Sequence, residues 1–242
     1  MELRLETSRP RNVLGHGAPF AKRWHPILAL GLLVYAAYRL LNPLIVGLFP
    51  DSLRFSYGVP VYYGPAAILL LALFALHRRL CFPDLRFVGT LRSRDVRWGV
   101  LAVSVLYLSV YGVALLLGQP REPVMVQLYW LKTPVEIAVM VISLLVLPPI
   151  VEELAVRHFL LSVLPFRANR ALAIIAAVAT AVIFSWLHSY DYLTTYLLLF
   201  GLGIVFAAAR ILSNGMLLPI TLHSYAVAFA LICDQLVARL GY

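Results

Sequence analysis

The sequence predicts an all-α, polytopic membrane helix bundle of about seven transmembrane helices. Of its 242 residues 62% are hydrophobic and only 13% are charged, and long apolar runs recur along the whole chain. Soluble domains carry about 25% charged residues, whereas a run of roughly 20 apolar residues is long enough to cross a bilayer as a helix. We therefore expect residues 26–242 to form a single transmembrane domain.

Seven apolar runs account for the predicted spans, and they cover residues 26–48, 60–80, 98–117, 134–164, 171–188, 193–211 and 216–240. The first run follows a basic segment, residues 1–25. Because this run is too long for a signal-peptide core and lacks a small-residue cleavage site, we expect an uncleaved first span. In the fourth run, Pro148 and Pro149 are expected to kink or restart the helix.

The net charge of +9 is distributed over short connections between the apolar runs. Residues 1–25 carry five basic side chains and the connection after the second span carries six, whereas the connection after the first span carries one. Cytoplasmic connections are enriched in Lys and Arg, so we expect a cytoplasmic N-terminus in a bacterial inner membrane. Because no soluble module presents a basic face, we expect no nucleic-acid partner. The two cysteines predict neither a disulfide framework nor a metal site.

Ionisable groups inside a span are costly and are therefore functional candidates. Most of them lie in the second half of the chain: Glu136, Glu152, Glu153, Arg157, His158, His188, His223 and Asp234. On a helix, Glu153 and Arg157 are four residues apart and can pair, whereas Glu152 points about 100° away. An unpaired carboxyl in a low-dielectric setting can act as a general base. A purely structural pair that joins two helices is the alternative.

Two histidines accompany these glutamates on later spans. His188 ends the fifth run and follows Phe184 by four residues, and His223 lies in the seventh run. Either histidine alone is more typical of an interfacial or hydrogen-bonded core residue. Because each group carries its own cost of insertion, three rare groups on three spans together indicate a functional site.

The ordered pattern E-E-x-x-x-R, F-x-x-x-H and a later His resembles the CPBP family of intramembrane peptidases, of the CAAX prenyl protease and bacteriocin-processing type. The matching residues are Glu152, Glu153 and Arg157, Phe184 and His188, and His223, within a motif core of residues 148–234.

The resemblance implies a glutamic-type peptidase that acts on a membrane-embedded or lipid-anchored peptide or protein. Glu152 would activate a water held also by His188, and His223 would help to stabilise the oxyanion. Glu153, Arg157 and Phe184 would support the site, with no metal and no cofactor.

One position departs from the family pattern. The family usually has an asparagine four residues after the last histidine, and this chain has Val227 there. An oxyanion donor would then be missing, at a cost of a few kcal/mol in the transition state. Ser224 and Tyr225 are the neighbouring polar residues that could replace it.

Three other functions stay open at this point. A metalloprotease could use a glutamate and two histidines, although the histidine pair with an adjacent glutamate that is typical of zincins is absent. A proton-coupled transporter would predict symmetric halves with matched broken helices. A non-catalytic membrane scaffold or immunity protein would tolerate the loss of both Glu152 and His188.

Overall fold

The structure is a computed structural model, and it describes residues 24–82, 84–188 and 190–241. The basic segment predicted for residues 1–25 therefore lies outside the described residues, apart from its last two positions. The helices are α1 (Trp24–Gly47), α2 (Asp51–Ser56), α3 (Gly58–Cys81), α4 (Ser93–Leu116), α5 (Pro123–Gln127), α6 (Pro134–Glu152), α7 (Arg170–Trp186), α8 (Leu193–Ser213) and α9 (Leu217–Arg239).

The predicted all-helical membrane bundle is confirmed, and its helices identify an integral membrane protein. In the described part of the chain, six helices are long and apolar enough to cross a bilayer. The fifth predicted span is α7, an apolar helix of 17 residues, which is shorter than the roughly 20 residues that a full crossing needs. The bundle thus has six long helices and one shorter helix among them.

Of the two effects expected of Pro148 and Pro149, a kink or a restart of the fourth helix, the restart is wrong. Helix α6 continues through both prolines to Glu152 and passes directly into a π-helix, Glu153–Leu160, which we call the π segment. A proline removes a backbone donor, but its fixed φ is helical. Because α6 packs against α3 and α9, we attribute the unbroken helix to tertiary contacts. The two glutamates consequently lie at the junction of an α-helix and a wider helix.

Glu136 caps the N-terminus of α6. The Thr133 backbone N–H donates to the Glu136 carboxylate at 2.8 Å, and the Glu136 backbone N–H donates to the Thr133 hydroxyl at 3.3 Å. This reciprocal arrangement is a capping box, which satisfies donors that the first turn leaves free. It gives this carboxylate a structural role.

The core of the bundle surrounds α6 and the π segment, which together contact α1, α3, α7, α8 and α9. Two glycines permit close approach there. A Cβ at Gly31 of α1 would lie 2.8 Å from the carbonyl oxygen of Phe159, and a Cβ at Gly203 of α8 would lie 2.9 Å from the Cα of Ala181. Small residues at helix contacts allow such backbone proximity in membrane proteins. These contacts hold α1 and the α7–α8 hairpin around the glutamates.

Candidate active site

Glu152, the last residue of α6, lies between three other side chains. The Tyr63 hydroxyl of α3 donates to Glu152 Oε1 at 3.0 Å. The other carboxylate oxygen, Oε2, lies 3.4 Å from Nε2 of His188 and 3.8 Å from Nε2 of His223. Among the described residues no donor is hydrogen-bonded to Oε2, although it is buried. One oxygen is thus fixed by a phenol, and the other is an available acceptor that faces two imidazoles.

His188 follows the short helix α7, and its ring is oriented by that helix. Its Nδ1 lies 2.7 Å from the carbonyl oxygen of Phe184, which can only accept a hydrogen bond. The proton on this side of the ring is therefore on Nδ1, and Nε2 is directed at Glu152. Tyr190 stacks on the same ring at a centroid distance of 5.9 Å. The shortness of α7 brings the end of the helix, and with it His188, to the carboxylate.

Glu153 and Arg157 form a second layer behind Glu152. Both side chains have no exposed surface, and Arg157 Nε lies 3.5 Å from Glu153 Oε2. The guanidinium also lies over the ring of Phe184, 4.6 Å from its centroid. His223 Nδ1 is 3.0 Å from Glu153 Oε1. His223 therefore bridges the two glutamates, with one nitrogen near each carboxylate.

The site lies where two cavities meet. A cavity of about 310 Å³ is bounded by α5, α6, α8 and α9, and one of about 180 Å³ lies between α1 and α3. The walls that both cavities share are formed by Tyr63, Glu152, Phe184 and His188. A small molecule such as water can therefore reach Glu152 from one side while a larger group occupies the other side.

Val227 lines the larger cavity together with the two histidines, so the position that departs from the family pattern faces the site. The two neighbouring polar residues are engaged elsewhere. Ser224 donates to the carbonyl oxygen of Ile220 at 3.0 Å, and the Tyr225 hydroxyl lies 2.8 Å from Ser104 Oγ. The family asparagine thus has no replacement from these two positions.

The remaining sequence candidates lie apart from this site. Arg121, which precedes α5, donates to both oxygens of Asp234 at 2.8 and 2.6 Å, and this hydrogen bonding raises the pKa of Arg121 above its ordinary value. His158 Nε2 contacts Nδ1 of His77 at 3.0 Å. In the part of the chain that the structure describes, no group of three or more His, Cys, Asp or Glu side chains is arranged to hold a metal ion.

Two residues at the site were missed by the sequence reasoning. Tyr63 lies in the second span, where a tyrosine carries no distinctive signal. Arg39 lines the smaller cavity from the middle of α1, and it satisfies the criterion used for the other candidates, since it is an ionisable residue inside an apolar run. The criterion could have found Arg39, whereas only the contact between α3 and α6 identifies Tyr63.

Residues 134–229 match the family model described as type II CAAX prenyl endopeptidase, Rce1-like. An Escherichia coli protein described as an uncharacterized 24.3 kDa protein is 34% identical over 191 residues, 78% of this chain and 84% of that protein. The chain belongs to the Rce1-like family. The predicted resemblance is thereby confirmed, and the matched residues include all six predicted site residues of the motif. Tyr63 and Arg39 lie outside the matched stretch. No solved structure matches the chain significantly.

Proposed function

We propose that the chain is an intramembrane endopeptidase of the glutamic type, which hydrolyses a peptide bond of a membrane-embedded or lipid-anchored substrate. Membership of the Rce1-like family supports a peptidase. The observation that carries the proposal is Glu152 Oε2, which faces Nε2 of His188 at 3.4 Å and Nε2 of His223 at 3.8 Å where two cavities meet. This arrangement supplies a base, a second acceptor for water and room for a peptide.

In the proposed first step, Glu152 removes a proton from a water molecule. His188 keeps its own proton on Nδ1, toward Phe184, so its Nε2 lone pair accepts the other hydrogen of the same water. The oxygen of the water then forms a bond to the peptide carbonyl carbon, and an electron pair moves to the carbonyl oxygen. Tyr63 holds Glu152 in place through its other carboxylate oxygen.

In the second step the tetrahedral intermediate collapses. His223 donates from Nδ1 to Glu153, and when the ring carries a second proton, its Nε2–H stabilises the oxyanion. Glu152 returns its proton to the leaving nitrogen as the carbon–nitrogen bond breaks. The products are a carboxylic acid and an amine, and the Glu152 carboxylate is regenerated.

Val227 favours a second candidate function, a non-catalytic membrane scaffold. An apolar side chain lines the cavity where the family pattern has an amide donor, and Ser224 and Tyr225 are hydrogen-bonded elsewhere. Loss of a single oxyanion donor lowers the rate of other hydrolases by about 10²–10³-fold. A scaffold would keep the fold and the family motif without cleaving a substrate.

The test is terminal-peptide proteomics of native membranes that express wild type, Glu152→Gln or His188→Ala at matched levels. We expect a defined set of new peptide termini with wild type only. Glu136→Gln is the matched control, because it makes the same change in a half-buried capping residue, a position where glutamine is also accepted. This control should give the wild-type termini. Identical termini from all four folded proteins would refute the peptidase and favour the scaffold.

Chelation separates the proposed mechanism from a metalloprotease. The mechanism uses no metal, so we expect the cleavage rate to be unchanged after dialysis against a chelator. The measurement is the rate on a substrate that the proteomics identifies, with and without added zinc. Loss of cleavage that zinc restores would instead make Glu152, His188 and His223 metal ligands.

A further inference from the structure

The smaller cavity, between α1 and α3, has a composition that the proposed catalysis does not explain. Four tyrosines and one arginine line it: Tyr35, Tyr38, Tyr62, Tyr63 and Arg39. Glu152 and His188 form its inner wall. The cavity therefore leads from the surface of the bundle at α1 to the proposed reacting carboxylate.

Arg39 lies deep within an apolar helix. It follows Trp24 by 15 residues and precedes Gly47 by 8, so at 1.5 Å per residue it lies about 22 Å and about 12 Å from the two ends of α1. Residues Leu28–Gly47 of this helix are a candidate membrane span. A charged side chain at such a depth is costly unless it meets an opposite charge or a polar cavity.

Arg39 is exposed, and among the residues that the structure describes no carboxylate lies within 4 Å of its guanidinium. Glu152, the acidic residue in the wall of the same cavity, is hydrogen-bonded to Tyr63 and faces the histidines. The charge of Arg39 is thus directed to a cavity mouth without a counter-charge from the described protein.

We propose that Arg39 binds a carboxylate of the peptide substrate at the mouth of this cavity, as the peptide enters laterally between α1 and α3. The proposal rests on the proposed peptidase function, and it specifies in addition that the substrate carries a negatively charged carboxylate. A guanidinium binds a carboxylate through two parallel hydrogen bonds, and the hydroxyls of Tyr35, Tyr38 and Tyr62 in the same cavity are further neutral donors. The depth of Arg39 favours a peptide over a lipid, because lipid phosphates lie outside the hydrocarbon core.

The test uses binding, so that it does not depend on cleavage. The probe is an N-palmitoylated, fluorescently labelled tetraalanine, made with a free carboxylate and with a carboxamide end. Affinities are measured in nanodiscs of neutral phosphatidylcholine for wild type, Glu152→Gln, Arg39→Gln, Arg39→Lys and Arg54→Gln. Arg54→Gln is the matched control, since Arg54 is an arginine that pairs with Asp51 outside the site.

We expect wild type and Arg54→Gln to bind the carboxylate about tenfold more tightly than the carboxamide. Arg39→Gln should lose this preference, and Arg39→Lys should retain part of it. Glu152→Gln should keep the preference although it cleaves nothing, which separates failure of the binding site from failure of the peptidase proposal. Equal affinities for the two probes in wild type, or an unchanged preference in Arg39→Gln, would overturn the inference.

A second measurement tests whether Arg39 instead binds the phosphate of a lipid. Phosphatidylglycerol that copurifies with each variant is quantified, and we expect equal amounts with wild type and Arg39→Gln. If Arg39→Gln loses bound phosphatidylglycerol while the wild type shows no carboxylate preference, Arg39 holds a lipid phosphate and the inference is wrong.

Discussion

Two clusters of buried ionisable side chains share the π segment, and they differ in composition and in access. On one side, Glu153 contacts His223, which lies near Glu152 at the wall of two cavities. On the other side, His158 contacts His77 at 3.0 Å, and both side chains are almost completely buried among aromatic rings. The cavities that reach Glu152 do not extend to this histidine pair. Burial of rare groups alone therefore does not distinguish a reacting site from a structural cluster.

The second cluster is basic throughout. Arg210 of α8 is buried near His158, and among the described residues its Nε and Nη1 have no hydrogen-bond partner. Within the histidine pair one ring nitrogen must donate and the other must accept, so the accepting ring nitrogen carries no proton. Neither histidine of this pair lines a cavity that reaches Glu152, so the pair has no contact with the space proposed for a substrate. The comparison supports the proposal that Glu152 and its two histidines, which line a cavity wall, form the reacting site.

The largest expected difference between the clusters concerns their arginines. Arg157→Met leaves the buried Glu153 without its guanidinium, so we expect a loss of about 3–5 kcal/mol in the free energy of unfolding. Arg210→Met replaces a buried charge that has no carboxylate within 4 Å among the described residues, and we expect a neutral or stabilising effect. Unfolding in detergent micelles measures both variants. Equal destabilisation by the two substitutions would contradict the expected difference between the clusters.

Much of the fold and of the candidate site could be predicted from the sequence, and part of each could not. The apolar runs predicted the helices, and the insertion cost of ionisable groups made Glu152, His188 and His223 candidates, which the structure brings together. The sequence could not show that α6 passes unbroken through Pro148 and Pro149, because tertiary packing outweighs the local effect of proline.

The two histidine pairings show a second limit. His158 was a candidate by the same criterion as His223, and only the packing of α3 against the π segment shows that its neighbour is His77 and not an acid. Helical periodicity gives the face on which a residue lies, but not the residue that faces it from a distant helix. Tyr63 was missed for this reason, since its contact with Glu152 joins positions 89 residues apart.

Tyr63 provides the next test, which concerns only the cluster around Glu152 and Glu153. Tyr63→Phe removes the hydroxyl that fixes Glu152, and a hydrogen bond to a charged group contributes about 1.5–3 kcal/mol. We therefore expect kcat/KM to fall about 10- to 100-fold. Tyr225→Phe is the matched control, because it removes a hydroxyl that is hydrogen-bonded to Ser104 instead of to a carboxylate. If both variants cleave at the wild-type rate, Tyr63 does not position Glu152.

The smallest effect on the rate is expected at the histidine pair. His77→Phe keeps a ring beside Phe82 and Phe159 but leaves Nε2 of His158 without its partner. An unsatisfied buried group costs at least about 1 kcal/mol, so we expect a modest loss of stability. The cleavage rate of the folded protein should stay within about twofold of wild type, since the proposed mechanism passes no proton through this pair. A tenfold slower rate at unchanged substrate affinity would mean that the π segment couples the two clusters, and that the basic cluster takes part in positioning Glu152.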